Sequence, residues 1–296
     1  MRDAAEGQLK HGQKEHVETL PLFSTTDKNG RMTMLLPGRR VGRAAPLMPW
    51  LLTAGALWSL TGSVPFGALL GMAPTPAINL FLGHPITVGA AVLLLFVAIG
   101  ASGSVYSRSI EQFGQTRVAG LFAALSVTGG LAAVAGVLLI WTLTSDPSRS
   151  FDLETIATSP TIPLELGAVV GASFALWAAI TLMRLPGSIA HARRRQADIE
   201  RLRVEGLSCT GTLTAVNFTN SWLFNYPIFT VEVNYIAHGV PRVVSAHMRT
   251  SADRVPLVGS PMIVLTDDRG ITHVELDLAS GAAFEPDVGK FAPSDG

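Results

Sequence analysis

The sequence predicts a membrane α-helical bundle of four transmembrane helices, followed by a small all-β cytosolic domain of the SH3-like or OB-like type. Three observations carry this prediction. Only 15% of the 296 residues are charged and 48% are hydrophobic, against about 25% charged in an ordinary soluble domain. The charges are unevenly placed, with none between Ala44 and Ser107 or between Val118 and Ser145. Beyond Gly206 the apolar spacing changes from helical to alternating, the period of strands.

The bundle is expected over residues 46–184. A hydrocarbon core about 30 Å thick needs roughly 20 apolar residues in a helix. Leu47–Ser63, Pro85–Val105, Val118–Leu143 and Leu164–Met183 meet that need. Gly62, Pro65 and Gly67 interrupt the first, so residues 64–83 read as part of span one, as re-entrant or as interfacial. No ionisable residue lies near the middle of a span, which counts against a proton relay or pump. Small residues recur every fourth position: Gly120, Ala124, Thr128, Ala132 and Gly136 in span three, and Gly167, Gly171, Ala175 and Ala179 in span four. Such stripes let helices approach closely, within the bundle or between two copies. The stretch GASG at 100–103 imitates the nucleophile motif of rhomboid-type proteases. No histidine lies in a span to serve Ser102 as a base, so packing is its expected role.

Orientation follows from Lys and Arg in the flanks. Arg39, Arg40 and Arg43 precede span one, Arg108 and Arg117 follow span two, and Arg184, Arg193, Arg194 and Arg195 follow span four. The intervening loops carry only Arg149. Both termini are therefore expected in the cytoplasm of a bacterial inner-membrane protein, with Arg193, Arg194 and Arg195 anchored on lipid headgroups. Residues 1–45, polar and without a signal-peptide pattern, are expected to be a disordered cytosolic tail.

Residues 185–206 read as a helical stalk, with Leu185, Ile189, Ala192, Ile199 and Leu202 as an apolar seam and Arg194–Asp198 and Arg201–Glu205 as i,i+4 pairs. Residues 207–280 then give five strands, at 209–218, 226–237, 241–248, 261–267 and 272–278, with turns at His238-Gly239 and Asp267–Gly270. Residues 281–296 are expected to be a second disordered tail. Trp222, Leu223, Phe224 and Tyr226 crowd the first connection where a polar turn is ordinary. They either fold back over the open end of the barrel or project to touch a partner or lipid.

Zero net charge offers no general field to nucleic acid, so no nucleic-acid partner is expected. The single cysteine, Cys209, excludes an internal disulfide and a Cys-rich zinc site. His238, His247 and His273 lack the spacing of a metal site, and no phosphate-binding loop or nucleophile elbow occurs. No catalytic, cofactor-binding or metal-binding residue is expected.

The β region resembles a bacterial family of unknown function whose members carry a small β domain beside membrane helices. Gly211-Thr212, Pro227 to Tyr235, Gly239, Val258-Gly259 and Val264 to Asp267 carry the likeness. Ser260 and Asp268-Arg269 depart from it. The resemblance implies the fold and no activity. The expected function is a non-enzymatic membrane protein displaying its β domain as a binding or regulatory module, with the bilayer and a protein partner or second copy as its contacts. A subunit of a transport or secretion assembly, or an immunity-type protein against a membrane-directed toxin, are the alternatives.

Overall fold

The computed structural model describes residues 20–25, 32–34, 42–70, 85–145, 164–223, 226–267 and 270–291. The chain divides into two compact units, one of residues 42–190 and one of residues 1–41 with 191–296.

The first unit holds α1 (Met48–Leu69), α2 (Pro85–Phe113), α3 (Thr116–Ser145) and the start of α4 (Leu164–Glu205). Three of these, α2, α3 and α4, are long and apolar enough to cross a membrane. In α1 the apolar run is diluted by Thr53, Ser59, Thr61 and Ser63, and it does not reach that measure. Its helix nonetheless continues through Gly62 and Pro65 to Leu69, so the start of 64–83 belongs to the first helix; residues 71–84 lie outside the described residues. Hydroxyls satisfy themselves on the preceding turn, as Thr53 on Pro49 O, Thr142 on Leu138 O and Ser173 on Val169 O show. That local bonding suits segments with no water to bond. Large apolar side chains face outward, among them Leu93 and Phe96 (each 65% exposed) and Trp177 (63%), as lipid contact requires.

The bundle closes through α1 and α3. A Cβ on Gly130 would run into the backbone of Gly55 and come within 2.8 Å of Trp58 Cβ, so the two helices touch backbone to backbone. Ser59 Oγ donates to Gly130 O (2.8 Å) across the same contact. Trp58 Nε1 donates to Ser102 Oγ (2.8 Å), which lies 3.1 Å from Ser126 Oγ, so three helices share one polar clasp. Within one chain the expected stripes are engaged only in part. Added Cβ atoms at Gly120 and Gly136 would meet nothing, Ala124 and Ala132 are half-buried, and Ala175 and Ala179 are exposed. Thr128 is buried but spends its hydroxyl on Ala124 O. On α4, Gly167 is buried and an added Cβ at Gly171 would lie 2.8 Å from Ala135. Small residues occur on several faces of α3, and the seam is set by where Gly55 meets it.

In the second unit six strands form one antiparallel sheet in the order β1-β4-β3-β2-β5-β6. They are β1 (Leu22–Ser24), β2 (Leu207–Leu223), β3 (Tyr226–Ala237), β4 (Val240–Arg249), β5 (Pro261–Thr266) and β6 (Thr272–Leu276). The sheet curls into a nearly closed barrel. β2 serves both halves, pairing with β3 and, through Leu207 to Thr212, with β5. Gly211 sits where these ladders meet, and a Cβ there would lie 2.8 Å from Val233 and 3.1 Å from Val264. His238 and Gly239 take φ of 52° and 77°, the left-handed pair a two-residue hairpin demands. Phe229, Val231, Val233 and Tyr235 point inward from β3, and Leu213, Met248, Met262 and Val274 join them in the core. Thr210, Thr212 and Thr214 point out, as their alternation predicts.

Three boundaries differ from expectation. Leu22–Ser24, within the expected disordered tail, add a sixth strand whose Phe23 is 4% exposed in the core. Residues beyond 280 belong to the barrel as well: Phe284 bridges Pro256, and Phe291 meets Phe229 at 4.9 Å, edge to face. The stalk is no separate element, because α4 runs unbroken through Pro186 to Glu205.

Candidate binding site at the barrel seam

The two edge strands of the sheet, β1 and β6, meet at a seam held by the last turns of α4. Thr25 Oγ1 donates to Thr272 O, and Arg195 Nη2 donates to both Thr25 Oγ1 (2.8 Å) and Thr272 O (3.2 Å). Arg195 is 6% exposed, so this corrects its expected headgroup role: helical periodicity turns it inward while Arg193 and Arg194 stay exposed. Arg201 likewise leaves Glu205 for Asp267 Oδ2 at 2.8 Å, and Asp267 Oδ1 accepts from Ile271 N, fixing the β5–β6 turn. Ile199 and Leu202 of the predicted apolar seam are buried.

Magnitudes explain why the clasp matters. Ordering three β1 residues costs about 3–6 kcal/mol of backbone entropy. Burying Phe23 returns about 2–3 kcal/mol. The β4 ladder and the Arg195 clasp must supply the remainder.

Between Leu20–Phe23 and β6 lies a cavity of about 150 Å³. Leu276 and Leu278 add to its apolar wall, and its polar end is Arg203, His273 and Glu275. Arg203 Nε and Nη2 both reach Glu275 Oε1 at 2.7 Å, and His273 Nε2 lies 3.2 Å from the same oxygen. Burial works against the Glu275 charge, but the His273 hydrogen bond and the Arg203 cation outweigh it and hold the carboxyl at about 2. Burial pushes His273 below its ordinary value, against the pull of Glu275, so the ring is neutral at pH 7. No group of three or more His, Cys, Asp or Glu gathers among the described residues.

The aromatic connection is largely strand. Trp222 pairs with Pro227 and Leu223 with Tyr226 at the end of a long β2–β3 hairpin. Trp222 donates to Phe291 O (3.0 Å) and stands edge-on to Phe218 at 5.0 Å, so one face covers the core while the residue stays 38% exposed. Leu223 is half-buried, Tyr226 lies beneath the Arg249 guanidinium at 5.5 Å, and Phe224 is outside the described residues. Ser102 is engaged in the bundle clasp, as packing predicts.

Sequence reasoning passed over Arg203, Glu275 and β1, and weighed His273 only as a metal ligand. A signal existed for His273 and Glu275, which stand at i and i+2 on one short strand and so share a face. No family model matches the chain, and neither a curated protein nor a solved structure matches it.

Proposed function

We propose that this protein is a four-span bacterial inner-membrane protein that displays its barrel in the cytosol as a non-enzymatic binding or regulatory module. One observation carries the reading: among the described residues β1 precedes the helices, β2 to β6 follow them, and the strands share one sheet. Both flanks of the bundle therefore lie on one side of the membrane, and the number of crossings between them is even. With α2, α3 and α4 apolar enough to cross, evenness favours α1 as the fourth span. The arginines beside the first and last spans favour the cytosolic side. Ile236 and Val243, 64% and 65% exposed on neighbouring barrel strands, offer a partner an apolar surface.

The test has two arms. In a Cys209→Ser background, an impermeant thiol reagent applied to intact cells should label Ser148→Cys and spare the exposed Thr210→Cys. Native Cys209, 8% exposed, would stay silent on either side and cannot serve. Capture from native membranes should yield a partner that Ile236→Glu with Val243→Glu loses. Labelling of Thr210→Cys from outside overturns the orientation, and a heteromeric complex unaffected by the barrel substitutions favours an assembly subunit.

A further inference from the structure

His273 is buried on β6, and its Nε2 lies 3.2 Å from the Glu275 oxygen that Arg203 also holds. An ionised carboxylate only accepts hydrogen bonds, so Nε2 carries the single proton of the neutral ring. Nδ1 is buried and has no hydrogen-bond partner among the described residues. A second proton there would be a buried, charged donor without an acceptor, which is costly. The charged groups acting on the ring are Glu275 on its own strand and Arg203 and Arg195 on α4. β5 opposes the ring with Leu265, β1 brings only Leu22, Phe23 and Ser24, and Asp267 at the β5–β6 turn is paired with Arg201. Protonation would therefore set a third cation beside two arginines that share one carboxylate. The fastener of the seam is next to this ring. Arg195 ties Thr25, the residue after β1, to the carbonyl of Thr272, the residue before His273.

We propose that His273 makes this seam an acid-released latch: a protonated ring parts the Arg195 clasp and frees β1, while β2 to β6 stay folded. β1 is the element to leave, because three residues paired with His247 to Arg249 are all that hold it in the sheet. Its release unpairs the backbone of those β4 residues, and an open edge of this kind accepts an added strand. The direction follows from linkage. Burial in the closed seam holds the imidazole below its ordinary 6.5, and opening restores that value. The closed seam is thus fully stabilised above 6.5 and loses that stability as the pH falls through it. With an open-state value of 6.5, the opening equilibrium rises about tenfold between pH 7.5 and 5.5. Glu275, held at about 2, stays ionised in the closed seam over that range.

Hydrogen–deuterium exchange of the full-length chain in micelles between pH 7.5 and 5.5, corrected for intrinsic rates, reads the opening of each strand. The β1 amides should exchange faster than those of β2 to β5 at every pH, because β1 opens without them. Their opening should also rise about tenfold across the range. His273→Gln keeps a donor for Glu275 but cannot titrate, so it should hold β1 at one level of protection throughout. The wild-type profile decides even where that variant does not fold. Exchange of β1 that is flat with pH, or no faster than that of β2 to β5, overturns the latch. A rise that persists in folded His273→Gln overturns it as well.

Discussion

Replacing Glu275 by Gln removes one charge and little volume from a cluster whose energetics can be worked through. The Glu275 carboxyl is held at about 2 against an ordinary 4.5, so the folded state favours its ionised form. At 1.36 kcal/mol per pH unit that gap is worth about 3 kcal/mol. The side chain is 30% exposed, and screening trims the figure to about 2 kcal/mol. This stability is complete above about pH 4.5 and is lost as the pH falls toward 2. His273 adds a separate limb. It is neutral in the fold, so stability begins to fall once the unfolded imidazole protonates, below about 6.5. Wild-type protein should therefore lose stability in two steps on acidification, and Glu275→Gln should lack the lower one. At pH 7 the variant's barrel amides should exchange about 30-fold faster, the equivalent of about 2 kcal/mol. Hydrogen–deuterium exchange of the full-length chain in micelles from pH 3 to 7, corrected for intrinsic rates, measures both effects. Unchanged exchange at pH 7, or a surviving lower step, would show that the Arg203–Glu275–His273 cluster does not stabilise the barrel.

Gly130→Ala should destabilise the bundle by about 1–3 kcal/mol, because the methyl group meets the Gly55 backbone, while Gly136→Ala should be neutral. Thermal unfolding in detergent compares them, and equal melting would refute the α1–α3 contact. Trp222→Ser should cost about 1–2 kcal/mol, less than for a fully buried ring, and lower barrel melting by several degrees. Unchanged melting would reassign the ring to a binding surface.

The barrel was legible wherever one face is dry. Alternation in β3 places Phe229, Val231, Val233 and Tyr235 inside because a one-residue slip would expose them all. β1 was not legible, since three residues are too few for a period and their partner, β4, lies across the whole helical region. The helices followed from length and hydropathy alone, but their contacts did not. Gly130 and Gly136 look alike in sequence, and only the position of Gly55 separates them. Arg195 was misjudged for a similar reason. A run of three arginines reads as one patch, whereas a helix turns each about 100° from the last and sends one inward. The candidate site was missed because its parts come from three distant stretches of chain.

The strand that closes the barrel is made first and used last. During synthesis Leu22–Ser24 emerge before α1 to α4, and their ladder partner, β4, emerges only after all four. Closure over so long an intervening segment is slow and comes late. Until it happens, β4 presents an unpaired edge and Phe23 has no core to enter. A chain inserted with an odd number of crossings would leave Phe23 stranded across the bilayer from its site, and the barrel could never finish. Its open edge would mark the molecule for aggregation or proteolysis. If the helices cross a membrane as proposed, completing the barrel requires that the two flanks of the bundle have arrived in the same compartment.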